Sequence, residues 1–185
     1  ASLTVATGID ALSHGIEAFI SKRSHRFTDE LALNSIKTIM ANIRTVYHDG
    51  NHEKARERMA YASMQAGIAF SNSSVALVHG MSRPIGALFN VPHGISNAML
   101  LAPVLEFSFK DCVKDLAIIG RTVEPKLEQE TDEVAAKYFI GSIQTLCQDL
   151  AIPNLKGWGI DETLFFQKTE SLIISNRCIT IKRGR

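Results

Sequence analysis

The chain has 185 residues, 45% hydrophobic and 21% charged, with a formal net charge of +1. That is enough for a single domain, 1–185, with a real core, and it gives no strong pull toward nucleic acid or an anionic membrane. No apolar run reaches the roughly 18 residues a membrane span needs, and no signal peptide opens the chain.

The periodicity is helical nearly throughout. Thr7 is placed to cap a first helix, with Asp10 in the capping-box position, running to about Ser21. A second helix is expected after Thr28, with Asp29 and Glu30 in its first turn, ending at Gly50. Asn51 is the expected cap of a third, with Met59, Ser63, Ala66 and Phe70 on one stripe. Pro84 should break or kink the helix that carries His79. Pro92 starts another near its first turn, "HGISNAMLLAPVLEF", mostly buried and disturbed at Pro103. Further helices are expected over about Asp111 to Arg121 and, capped by Thr131, to about Leu150. Pro153, Gly157 and Gly159 mark a loop, and a short helix is expected after Asp161. The tail 171–185 reads as strand-like or irregular, with a basic end. There is no βαβ alternation, so the fold class is all-α, a multi-helix array or bundle.

Cys112, Cys147 and Cys178 are odd in number and widely spaced. They fit neither a disulfide framework nor a CxxC metal site, which points to reduced thiols and a cytoplasmic setting. The chain opens abruptly on "ASLTVATGID", which reads as a processed or fragmentary protein.

Four residues carry the chemistry. Asp10 and His14 are one helical turn apart and share a face. His79 lies in an apolar segment, and His93 follows fourteen residues later, beyond Pro84. A turn between two helices would bring His79 and His93 together, and the first helix can add its pair. Three imidazoles and a carboxylate suit Fe(II), Zn(II), Co(II) or Ni(II), and suit Mg(II) poorly. Each also has a plainer role: Asp10 as a helix N-terminal acid, His14 as a surface residue, His79 and His93 as structural. Arg83, four residues after His79, is expected at a rim, as an anion, cofactor or substrate contact or in an ion pair. Met81, Leu88 and Phe89 are expected in the core or along a small apolar pocket.

"TGIDALSHGIEAFIS" and "FSNSSVALVHGMSRPIGALFNVPHGISNAMLLAPV" closely resemble the iron-containing (group III) alcohol dehydrogenases, over roughly Leu3 to Leu164. The resemblance implies that Asp10, His14, His79 and His93 bind the catalytic metal, Fe(II) or Zn(II), which polarises an alcohol or aldehyde oxygen during hydride transfer with NAD or NADP. It implies the family's dehydroquinate synthase-like helical domain. The sequence holds no Gly-rich phosphate turn, so it is expected to correspond to the helical domain only, lacking the N-terminal α/β nucleotide-binding domain. Its partners would be that domain, a small alcohol or aldehyde and further copies of itself. Without the cofactor half the chain is expected to have little or no activity. Many relatives have a histidine where Arg83 stands, so an imidazole proton relay there has no support. "ESLIISNRCITIKRGR" does not match the family's usual C-terminal end.

Two other readings exist. An HD-type phosphohydrolase needs an adjacent His-Asp pair, which His48-Asp49 supplies at a probable helix end. A non-catalytic helical interaction module would use the histidines structurally.

Overall fold

The computed structural model describes residues 2–161 together with Thr163 and Phe165. The tail 171–185 and Cys178 lie outside the described residues, as does most of the helix expected after Asp161.

The described residues form seven α-helices and two short 3₁₀ turns, with no strand among them: α1 (Ser2–Ile20), α2 (Arg26–His48), α3 (Glu53–Ser73), α4 (Leu77–Phe89), α5 (His93–Phe107), α6 (Phe109–Val123) and α7 (Asp132–Asp149). The all-α expectation holds. None of these helices is long and apolar enough to cross a membrane.

Helix α1 packs against α2, α3 and α5. Its Val5, Ile9, Leu12, Ile16 and Phe19 recur at helical spacing and are all buried, as expected for a helix embedded in the core. The hydroxyl of Ser35 donates to the Ala62 carbonyl at 2.8 Å, tying α2 to α3 through a buried bond. Helices α6 and α7 form a second close pair. There a Cβ on Gly120 would stand 2.4 Å from the carbonyl oxygen of Ala135, so only glycine permits the approach.

Several helix ends differ from expectation. Thr7 is no cap: α1 is already helical from Ser2, and the Thr7 hydroxyl donates back to the Leu3 carbonyl at 2.9 Å. Helix α2 starts at Arg26, before Thr28, because the Thr28 hydroxyl accepts from the His25 N–H at 2.9 Å and so closes the first turn. His52, and not Asn51, caps α3: its Nδ1 accepts from the Ala55 N–H at 3.2 Å. The buried stripe of α3 is Ala55, Ala62, Gln65, Ala66, Ala69 and Ser73, which leaves Ser63 exposed. Thr131 does cap α7, accepting from the Val134 N–H at 3.3 Å.

Pro84 does not break α4, which runs on to Phe89 with Pro84 buried inside it. Proline forfeits one backbone hydrogen bond; burial of Val78, Ser82, Pro84 and Ile85 keeps the helix in place around that loss. Helix α5 likewise continues through the exposed Pro103. The disturbance lies elsewhere, at Cys112, whose φ of −133° kinks α6.

Candidate metal centre

Three helices supply the site. Asp10, His14 and Glu17 are spaced by four and three residues on α1 and so share a face. His79 sits in the first turn of α4. His93 opens α5, and Asn97 lies one turn later. The helices are held close by a glycine: a Cβ on Gly94 would stand 2.1 Å from the carbonyl oxygen of Ala6.

Asp10, His14 and His79 meet in one cluster, and His93 borders it through Asp10. Ligand-type atoms of Asp10, His14 and His79 lie within 4.8 Å of one another. From Oδ1 of Asp10, His93 Nε2 is 3.5 Å away, His79 Nε2 3.6 Å and His14 Nδ1 4.0 Å. A tetrahedral cation with bonds of about 2.0–2.2 Å sets its ligand atoms roughly 3.3–3.6 Å apart, so two of these spacings match it and the third needs only a small adjustment. The imidazoles are mutually close, with ring centroids 4.3 Å apart for His14 and His79 and 5.3 Å for His79 and His93. Phe70 stacks on His14 at 4.1 Å and closes one side of the site. His79 is buried, whereas the His93 side chain is 48% exposed, so the site opens on the His93 side.

Two residues without a predicted role complete the arrangement. Asn97 Nδ2 lies 2.6 Å from Asp10 Oδ1, 3.1 Å from His79 Nε2 and 3.2 Å from His93 Nε2. An amide nitrogen carries two hydrogens, so it cannot bond to all three atoms at once. Asn97 Oδ1 is buried and has no partner. One carboxylate oxygen and two ring nitrogens therefore crowd a point that the amide alone cannot bridge, and an N₃O set of this kind fits a borderline divalent cation. The second residue is Glu17, fully buried, which accepts from His79 Nδ1 at 2.5 Å. Both were visible in principle. Glu17 continues the Asp10–His14 face and Asn97 lies four residues after His93, but Asn is a rare ligand type, and the partners of Glu17 are 61 and 62 residues away.

The protonation pattern is polarised. Burial lowers the pKa of His14, the positive charge of His79 adds to this, and the value falls to about 4 despite the Asp10 carboxylate. Burial acts against protonation of His79 as well, but the carboxylates of Asp10 and Glu17 outweigh it and raise the value to about 9. Burial would raise Asp10, yet the bond to His79 and the neighbours His14, Asn97 and His93 hold it below its ordinary value.

Arg83 is exposed on α4 and lines a shallow cavity of about 270 Å³ with Arg23, Phe70, Asn72 and Ser74. Phe70 is the wall between this cavity and His14. Met81 and Phe89 are half-buried and pack against the core. The dipeptide His48-Asp49 does not form a metal site. Both residues are exposed at the end of α2, and the Asp49 carboxylate accepts from the Asn51 N–H at 3.0 Å. The phosphohydrolase expectation fails there, because a surface helix end brings no further ligands to the pair.

The sequence profile of the Fe-containing alcohol dehydrogenase family, C-terminal, matches residues 4–179. The chain belongs to the iron-containing alcohol dehydrogenase family. It is 39% identical over 166 residues to the 1,3-propanediol dehydrogenase of Citrobacter freundii, covering 89% of this chain and 43% of that protein. With the NADPH-dependent butanol dehydrogenase of Clostridium saccharobutylicum it shares 38% identity over 178 residues, 96% of this chain and 44% of that protein. The chain thus spans less than half the length of these curated relatives. Its structure superposes on a crystal structure of 1,3-propanediol oxidoreductase with a TM-score of 0.91 at 35% identity, covering 100% of this chain and 49% of that one. For an iron-containing alcohol dehydrogenase from Thermococcus thioreducens the TM-score is 0.83 at 30% identity, over 99% and 47%.

Proposed function

We propose that this chain is the helical, metal-holding half of an iron-dependent, NAD(P)-linked dehydrogenase for a small alcohol or aldehyde. Residues 1–185 act as one unit, with Asp10, His14, His79 and His93 as the ligands. The observation that carries this reading is the meeting of a carboxylate oxygen and two imidazole nitrogens around the single amide of Asn97. It also favours this reading over a helical module with purely structural histidines.

When bound, Fe(II), or Zn(II) in its place, supplies Lewis acidity toward an alcohol or aldehyde oxygen. The chain's own residues do the rest. Asp10 and the imidazoles fix the position of the charge, Phe70 shuts water out beside His14, and the exposed edge of His93 leaves a path for substrate. NAD or NADP is held by an N-terminal α/β nucleotide-binding half, and Arg83 faces an anionic part of cofactor or substrate. The protein works in the cytoplasm as a homo-oligomer.

The test is metal content. The full chain, loaded with Fe(II) without oxygen or with Zn(II) and then dialysed, should retain about one ion per chain, and His14→Ala and His93→Ala should each lose most of it. Retention of the full content by either variant, at unchanged helicity, contradicts the ligand set.

A further inference from the structure

We propose that Glu17 is a positioning residue for this centre: its buried carboxylate caps helix α4 from outside and, through one of the same oxygens, holds the His79 ring so that Nε2 faces the ligand cluster. The proposal rests on the ligand reading above and adds a residue to it.

The geometry is specific. Glu17 Oε1 accepts from the Val78 N–H at 2.6 Å. Its Oε2 accepts from the His79 N–H at 3.3 Å and from His79 Nδ1 at 2.5 Å. Val78 and His79 lie in the first turn of α4, where N–H groups have no partner inside the helix. The residue at the helix start, Ala76, has no side chain able to cap them. A carboxylate from α1 takes over that duty, and its negative charge suits the positive end of the helix.

Capping alone does not account for Glu17. A capping side chain normally stands beside its own helix, in or near water. Glu17 is fully buried and comes from a different helix, where an uncompensated charge is very costly. Its third bond, to Nδ1, fixes which ring nitrogen bears the hydrogen and which remains a donor of electrons. A histidine that binds metal through one nitrogen is usually oriented by an acceptor at the other. Because the carboxylate is anchored by the two main-chain N–H groups, the His79 ring cannot turn without losing its bond to a fixed acceptor.

Glu17→Gln in the full chain separates the two duties, since the amide oxygen still accepts from one main-chain N–H while the negative charge is gone. Zn(II) affinity, by competition with a chromophoric chelator, is expected to fall about 10- to 100-fold. The visible spectrum of the Co(II)-loaded chain should change as well, a signature that a loss of cap alone does not produce. Affinity within twofold of the parent together with an unchanged Co(II) spectrum overturns the proposal. If Glu17→Gln does not fold, Glu17→Asp keeps the charge and shortens the reach; parent-like affinity and spectrum in that variant overturn it equally. His93→Ala, measured alongside, separates the two claims. If His93→Ala binds Zn(II) like the parent, the ligand reading fails and this inference falls with it. If His93→Ala loses the ion and the Glu17 variants keep it, only the role of Glu17 is overturned.

Discussion

The carbonyl oxygen of Ala6 lies 2.1 Å from where a Cβ on Gly94 would stand. Here α1 and α5 meet closely, one residue from His93 and one helical turn from Asp10. The placement of two proposed ligands thus depends on a contact that no larger residue allows. Gly94→Ala is expected to cost about 3 kcal/mol, the upper end of the range for overpacking, because the clash is with main chain. Metal affinity should also fall, since α5 must move away from Asp10. Thermal unfolding and Zn(II) titration check this; a variant as stable as the parent would show that α1 and α5 are less tightly apposed.

Gly120 offers the contrast. Its Cβ would meet the Ala135 carbonyl oxygen at 2.4 Å, in the α6–α7 pair, which supplies none of the site residues. Gly120→Ala should therefore lower stability by about 1–3 kcal/mol and leave the Zn(II) affinity of the folded fraction unchanged. A large loss of affinity would mean that the second helix pair supports the site.

Asn97 bonds to Asp10 and reaches two imidazoles. Asn97→Ala frees the Asp10 carboxylate to turn, so metal binding should weaken by about tenfold or more, the usual effect of losing an outer partner of a ligand. Isothermal titration with Zn(II) measures it. Unchanged affinity would reduce Asn97 to a packing residue.

The helices were legible because their apolar spacing is regular. The candidate ligands were legible because aspartate and histidine stand one turn apart on α1. Helix ends were less so. Thr7 has the right chemistry for a cap, but α1 is already helical upstream of it. Pro84 looked like a break, yet the buried residues around it carry the helix through. Glu17 stayed hidden for a different reason: its partners, Val78 and His79, are 61 and 62 residues away in sequence. No local pattern signals a cap supplied from another helix.

The described cysteines should be inert. Burial, aided by Asp115 and Asp111, raises the Cys112 thiol to about 12, and burial alone raises Cys147 to about 11. Both stay protonated at pH 8, and the thiolate is the reactive form. Alkylation mapped by mass spectrometry should reach them slowly in the folded chain and rapidly in denaturant. Fast labelling of either at pH 8 without denaturant would contradict their burial.

The central claim is that Asp10, His14, His79 and His93 surround one cation. X-ray absorption on the zinc-loaded full chain addresses it directly. The account predicts a shell of nitrogen and oxygen at about 2.0–2.1 Å, with the outer scattering of three imidazoles. A shell with sulfur, or with no more than one imidazole, would contradict it.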